Sequence, residues 1–390
     1  MKTWRLTTVL LLVLISALLI KTNAETRKSL SNPEQERTKT FNVNSGGKLY
    51  INVNPGNIKI SVRDKNEVVV KVRGLGNEEL NNVEMELKGN TVSVVYNPEW
   101  GWGDDAEFVI TIPEQFNIEA KTSGGDVGIS SNISGNVEIS TMGGDVSTKD
   151  VKGKAKLSTQ GGDVKVGNIA GSLTLNTMGG DIKVGDVKGE FAKVSTMGGD
   201  ITIGKVASGI SATTYGGDIS VSGIGGNADL QTMGGNIQIS DVNGKVQLDT
   251  KGGNISVKNA NGSIKAVTYA GEIELIGITG SVEAKTMSGN INAEINPAAG
   301  TQSRLFSQSG EVELTVPANA KTDINAEIKS WGNIKYMKDT YSITSDFPEK
   351  EAGDNNSKRS INRFYSLNGG GSKITVTTTN GNIRITKAAK

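Results

Sequence analysis

Acidic residues recur at a fixed spacing along the middle of the chain, and a column of carboxylates could bind calcium. Eleven times between Thr122 and Glu311 the sequence repeats Thr or Ser, a variable residue, a small residue, Gly, an acidic or amide residue, and Val or Ile. Hard cations prefer oxygen ligands, and nine-residue calcium-binding β-rolls use a related Gly-Gly-Asp pattern. The residues at the acidic position are Asp126, Asp145, Asp163, Asp181, Asp200, Asp218, Asn236, Asn254, Glu272, Asn290 and Glu311.

The same position also has an explanation without a metal. Asn236, Asn254 and Asn290 keep a side chain that can bond to turn backbone but lose the negative charge of Asp. Repulsion between carboxylates about 5 Å apart in water-like surroundings is only about 0.8 kcal/mol. We therefore predict a structural role and no metal site. Calcium binding stays as the alternative, at Asp145, Asp163, Asp181, Asp200 and Asp218.

Composition removes most catalytic chemistry. The 390 residues include no Cys and no His, which excludes disulfides, thiol nucleophiles and every Ser-His or Cys-His arrangement. Paired carboxylates on a β-helix could still cleave a polysaccharide. However, every acid in the ladder is accounted for by its place in the repeat. We predict no catalytic residue, no enzymatic activity and no cofactor, and keep polysaccharide cleavage as an alternative function.

The Gly immediately before the acidic position never varies, whereas the residue before that Gly can be Ala270, Ser288 or Ser309. We predict that the unvarying Gly adopts a turn conformation closed to other residues. The Thr three places earlier should point inward and satisfy turn backbone with its hydroxyl. The predicted turn glycines are Gly125, Gly144, Gly162, Gly180, Gly199, Gly217, Gly235 and Gly253.

The variable position after the Thr is the candidate binding surface. Strand alternation turns it away from the inward Thr, and an exposed line of Met and Tyr would make an adaptable apolar contact. Alternatively, the N-terminal region or a polar excursion at 338–371 covers it. A second candidate is the loop with Trp100 and Trp102, either a sugar-stacking loop or a hydrophobic plug. The candidates at the variable position are Met142, Met178, Met197, Tyr215, Met233, Tyr269 and Met287.

The spacing of these residues predicts the elements that carry them. In one 18-residue repeat, apolar residues alternate within Val164–Val166 and within Leu173–Thr177, which is typical of short strands. Eighteen residues are too few for a propeller blade but suit one coil of a β-solenoid. The prediction is an all-β parallel β-solenoid whose coils stack about 4.8 Å apart, so that eleven copies make a rod of about 50 Å.

The rest of the chain divides around this array. Residues 1–24 combine Lys2 and Arg5 with an apolar run and predict a signal peptide, with an uncleaved anchor as the alternative. We predict a flexible lead-in at 25–40, a β-rich region at 41–120, the array at 121–316, and degenerate coils at 317–390. Echoes of the repeat around Asn57 and Asn382 could be terminal coils that cover the open sheet edges.

The array, with Asn57-Ile58-Lys59-Ile60 before it and Asn380-Gly381-Asn382-Ile383 after it, resembles the bacterial putative-adhesin family of β-strand-repeat proteins. The resemblance implies an exported cell-envelope protein with a β-solenoid-like body and no catalytic residues. A formal net charge of +1 argues against nucleic acid as a partner. The predicted function is a non-enzymatic scaffold in the periplasm or at the cell surface. It would bind an envelope glycan or a protein, without spanning the membrane after signal cleavage.

Overall fold

The computed structural model describes residues 35–98, 106–329, 340–350 and 360–389. These residues form an all-β rod with one short helix, α1 (Asn77–Asn81). The predicted signal peptide at 1–24 and the predicted binding residues Trp100 and Trp102 lie outside the described residues. Within the described ranges, no helix has the length and apolarity needed to cross a membrane.

One coil shows why the repeated sequence folds in this way. Val164 and Val166 point inward from a first strand, Ile169 forms an isolated bridge, and Leu173 and Leu175 point inward from a second strand. All five side chains are buried. Alternation places the intervening polar residues outside. We call the three sides of the coil the first face (Val164–Val166 and equivalents), the second face (Ile169 and equivalents) and the third face (Leu173–Asn176 and equivalents).

Successive coils stack in parallel and in register. Val164 pairs with Val146 on one side and Ile182 on the other, so identical positions form columns along the rod. The strands of the repeated part are β9 (Val127–Ile129), β10 (Val137–Ser140), β11 (Val146–Thr148), β12 (Ala155–Ser158), β13 (Val164–Val166), β14 (Leu173–Asn176), β15 (Ile182–Val184), β16 (Phe191–Ser195), β17 (Ile201–Val206), β18 (Gly209–Thr213), β19 (Ile219–Ile224), β20 (Ala228–Gln231), β21 (Ile237–Ile239), β22 (Val242–Asn243), β23 (Val246–Asp249), β24 (Ile255–Lys258), β25 (Ala260–Val267), β26 (Ile273–Thr286), β27 (Ile291–Asn296), β28 (Gln302–Ser309) and β29 (Val312–Val316).

The two ends of the rod depart from this simple order. The N-terminal strands are β1 (Glu36–Asn42), β2 (Lys48–Val53), β3 (Asn57–Arg63), β4 (Glu67–Arg73), β5 (Glu84–Lys88), β6 (Thr91–Tyr96), β7 (Glu107–Pro113) and β8 (Asn117–Thr122). The C-terminal strands are β30 (Thr322–Lys329), β31 (Ile343–Ser345), β32 (Ser360–Leu367), β33 (Ser372–Asn380) and β34 (Ile383–Lys387).

At the N-terminal end, β2 and β3 form a coil inserted between two others. Strand β2 pairs in parallel with both β6 and β8, and β3 pairs in parallel with both β7 and β9. Strands β1, β4 and β5 then run antiparallel to their neighbours at the edge. Strand β1 begins at Glu36, inside the segment predicted as a flexible lead-in at 25–40, and pairs with β4 along its whole length.

The C-terminal end repeats the arrangement. Strand β33 lies between β28 and β30, and β34 lies between β29 and β31. Strand β32 pairs antiparallel with β30 and occupies part of the predicted polar excursion at 338–371. That excursion is thus partly sheet, because its Ile361, Tyr365 and Leu367 alternate inward. The echoes around Asn57 and Asn382 are penultimate coils rather than the edge covers that we predicted.

Candidate functional site: the corner of the coil and its exposed strip

The corner between the third face and the next first face contains the repeated Thr and Gly. The Thr177 hydroxyl donates to the Gly162 carbonyl of the preceding coil at 3.1 Å and accepts the Gly180 N–H at 3.4 Å. Equivalent bonds recur in neighbouring coils, for example from Thr214 to the Gly199 carbonyl at 2.9 Å. The threonines are buried, as the sequence predicted, and all but Thr286 satisfy two backbone groups that would otherwise be unpaired.

The unvarying glycines lie at this corner, but our conformational reason for most of them is wrong. Of the eight predicted turn glycines, Gly125 alone has a positive φ, at 148°. The requirement is instead close stacking between coils. A Cβ on Gly180 would lie 2.0 Å from the Gly162 carbonyl oxygen, whereas a Cβ on the preceding Gly179 would find its nearest neighbour at 3.4 Å. This difference explains why only the second Gly is fixed.

The acidic ladder bonds between coils. Asp145 accepts the Asp163 N–H at 2.8 Å through Oδ1, and Asp163 accepts the Asp181 N–H at the same distance. Asn236 does the same for Asn254. The predicted backbone bond therefore exists, but it reaches the next coil rather than the residue's own turn. Among the described residues there is no group of three or more acidic side chains placed to hold a metal ion.

Six of the seven predicted residues at the variable position are exposed and are aligned along the rod. The relative exposures of Met142, Met178, Met197, Tyr215, Met233 and Tyr269 range from 42% to 58%. Met287 differs and is half-buried. We call the run Met178, Met197, Tyr215 and Met233 the corner strip, because these four residues lie on consecutive coils.

Backbone bonds fix the spacing of the corner strip. The Met197 N–H donates to the Met178 carbonyl at 3.2 Å, and the Tyr215 N–H donates to the Met197 carbonyl at 3.1 Å. The side chains therefore repeat about every 4.8 Å. No described part of the N-terminal region or of the 338–371 segment covers them, contrary to the alternative that we considered.

Sequence reasoning missed Phe191 as an exposed aromatic. Its side chain is 45% exposed and lies at the start of β16 on the third face. Other coils have Lys154, Ser172, Gly209 or Asn227 at this position. A large aromatic residue at an outward, otherwise polar position was the signal in the sequence.

The electrostatics of the carboxylates near the N-terminal end do not favour acid catalysis. Hydrogen bonds from Lys59 and then Arg73 lower the pKa of Glu107. Hydrogen bonds from Lys121 and Lys48, both at 2.6 Å, lower the pKa of Glu119. A glycosidase general acid needs the opposite shift, towards a raised pKa.

The coil geometry defines the class of protein as a parallel β-solenoid repeat protein with antiparallel strands at its ends. The Toastrack DUF4097 family model matches residues 47–240 and 204–347. The chain therefore belongs to the Toastrack DUF4097 family. A search of curated proteins gives no match.

Solved structures also align with the chain. One is a putative cell adhesion protein from Clostridium sporogenes, at 10% identity and a TM-score of 0.20, covering 91% of this chain and 100% of that one. Another is a putative adhesin from Bacteroides fragilis, at 13% identity and a TM-score of 0.22, covering 91% and 97%. A third is a putative lipid binding protein from Parabacteroides distasonis, at 10% identity and a TM-score of 0.18, covering 91% and 97%.

Proposed function

We propose that the chain is an exported, non-enzymatic binding scaffold in the periplasm or at the cell surface, and that the corner strip binds a protein partner. The observation that carries the proposal is the exposure of Met178, Met197, Tyr215 and Met233 on four consecutive coils. Contiguous exposed apolar side chains on a soluble chain mark interaction surfaces. Methionine is flexible and polarizable, which suits contact with an irregular protein surface.

The rigidity of the corner supports this role. Each residue of the strip sits between a buried Thr and the stacked glycines, and backbone bonds hold it to the coils above and below. The backbone is therefore fixed before a partner arrives, which reduces the entropy lost on binding. Export is supported by the signal-like composition of residues 1–24.

The test is capture of protein from a cell-envelope extract by the purified chain and by a variant with Met178→Ser, Met197→Ser and Met233→Ser. We expect the parent chain to retain a defined protein and the variant to retain at least tenfold less of it. Because the three side chains are exposed, the variant should keep the parent's melting temperature to within a few degrees.

The matched control replaces exposed residues on the first face, Thr202→Ser and Gln238→Ser, and should capture as much as the parent. Both residues lie outside the corner strip, on strands β17 and β21. Equal capture by the parent and the triple Ser variant would eliminate the corner strip as the binding surface.

A further inference from the structure

A long groove runs along the third face, away from the corner strip. It consists of two open hollows of about 640 and 630 Å³ that share Lys245 and Gln247. The first hollow begins at Phe191 and has Gly209, Gly225 and Gly226 in its lining. The second continues across the following coils to Lys373.

Phe191 is held at one end of this groove with its ring accessible. It pairs with Gly209 of the next coil, and a Cβ on Gly209 would approach the Phe191 ring to 3.3 Å. A larger residue at 209 would therefore crowd the ring on the side facing the groove. The glycine leaves a flat aromatic surface next to the hollow.

Cations follow Phe191 on later coils of the same face. Register places Lys265 two coils and Lys245 three coils before Arg304, so Lys245 and Arg304 are about 14 Å apart along the rod at about 4.8 Å per coil. Among the described residues, the side chains of Lys245, Arg304 and Lys373 make no ion pair. Lys265 lies 3.9 Å from Glu283, at the limit of such a contact.

The remaining lining is polar and uncharged for the most part. Gln247, Gln302, Ser263 and Ser281 offer amides and hydroxyls that can both donate and accept hydrogen bonds. Sugar hydroxyl groups need partners of this kind, and the flat C–H face of a sugar ring packs well on an aromatic ring. Unpaired cations add a preference for anionic groups.

We propose that the third-face groove binds a linear acidic polysaccharide. Phe191 stacks against one sugar, and Lys245, Lys265 and Arg304 bind its carboxylate or sulfate groups. Asp229 and Glu283 also line the groove. Their carboxylates can accept hydrogen bonds from sugar hydroxyls. The site shares no residue with the corner strip and does not depend on it.

The test is isothermal titration calorimetry of the purified chain at low salt with four polymers. Polygalacturonate supplies carboxylates and dextran sulfate supplies sulfates. Dextran is the uncharged control for dextran sulfate, and poly(dT) tests whether a phosphate polymer binds. We expect binding of at least one acidic polysaccharide and no measurable binding of dextran. Lys245→Gln, Lys265→Gln and Arg304→Gln together should weaken binding at least tenfold, and Phe191→Ala alone about threefold or more.

The control variant removes the same number of charges from outside the groove, through Lys149→Gln, Lys165→Gln and Lys183→Gln. It should bind as the parent does. The proposal is overturned if neither acidic polysaccharide binds, if the control variant loses as much affinity as the groove variant, or if poly(dT) binds more tightly than both. The triple Ser variant of the corner strip should bind the polysaccharide normally, which separates this site from the proposed protein site.

Discussion

The repeated middle of the rod and its two ends contain the same hydrogen bond at the corner, from a Thr hydroxyl to a Gly carbonyl. They differ in how far apart the two residues lie in the sequence. In the middle, the Thr214 hydroxyl bonds to a carbonyl 15 residues earlier in the chain. At the N-terminal end the equivalent bond joins Thr122 to the Gly56 carbonyl, 66 residues away. At the C-terminal end it joins Thr378 to the Gly310 carbonyl, 68 residues away. The geometry is conserved within the molecule while the sequence separation grows more than fourfold.

The middle coils and the end coils therefore differ in how they form. The middle coils stack on their neighbours in the sequence, whereas the end coils require contacts between distant parts of the chain. Each middle coil needs only its neighbours, so it can add to a growing stack at a small entropic cost. Each end must close a long loop before its inserted coil can pair, and contacts of that kind form slowly. The outermost strands β1, β5 and β32 pair antiparallel with their neighbours, so these edges differ from the parallel edge that another coil would match, whereas β31 pairs in parallel with β34.

The two regions also fill their cores differently. The middle coils bury Val, Ile, Leu and Ala, whereas the N-terminal end buries Tyr96, Phe108 and Phe116. The rings of Tyr96 and Phe108 are 6.0 Å apart, and Phe108 also packs against Gly56 of the inserted coil. We infer that a few large side chains hold the N-terminal end, while many small contacts hold the middle.

The largest loss of unfolding free energy should come from Phe108→Ala. Deleting a fully buried Phe costs about 3–5 kcal/mol, and here it also opens the contact between the inserted coil and the outer one. Chemical denaturation should show this loss of unfolding free energy. Phe191→Ala is the matched control, because its ring is exposed and its removal should change stability by less than about 0.5 kcal/mol. Equal effects of the two variants would contradict the aromatic core of the N-terminal end.

A smaller effect is expected in the middle of the rod from Gly180→Ala. The added Cβ would lie 2.0 Å from the Gly162 carbonyl oxygen, so the two coils must separate locally. Overpacking of this kind costs about 1–3 kcal/mol. Gly179→Ala provides the comparison, since its Cβ would meet its nearest atom at 3.4 Å and Ala270 already occupies the equivalent place. If Gly179→Ala were as destabilising in a thermal melt, stacking would not be the reason for the unvarying glycine.

The sequence predicted the middle of the rod well because each interaction there follows the repeat. The inward Thr, the alternating apolar residues and the coil length of 18 could all be read from one copy and its neighbour. The ends could not be predicted in this way. The pairing of β2 with β8 joins residues 69 positions apart, and it occurs only once, so no repeat in the sequence reveals it. The third-face groove was missed for a related reason. Phe191, Lys245 and Arg304 belong to different coils, and only the register brings them to one surface.

The smallest loss of unfolding free energy should come from substitutions in the acidic ladder. There the hydrogen-bonding and calcium-binding interpretations make opposite predictions. The Asp181 Oδ1 atom accepts the Asp200 N–H at 2.8 Å. Asp181→Asn keeps an oxygen acceptor and removes repulsion within the column, so stability should change by less than about 0.5 kcal/mol. Asp181→Ala removes the acceptor and should cost about 0.5–1.5 kcal/mol.

Differential scanning calorimetry with and without a calcium chelator completes this comparison. If the ladder acts through hydrogen bonds alone, the parent should melt at the same temperature with and without the chelator. The melting temperature should then decrease in the order parent, Asp181→Asn and Asp181→Ala, with the first two nearly equal. A calcium-stabilised rod predicts that the chelator lowers the parent's melting temperature and that the Asn variant is less sensitive to it. Because Asn236 and Asn254 already occupy the same position with the same bond to the next coil, we expect the first result.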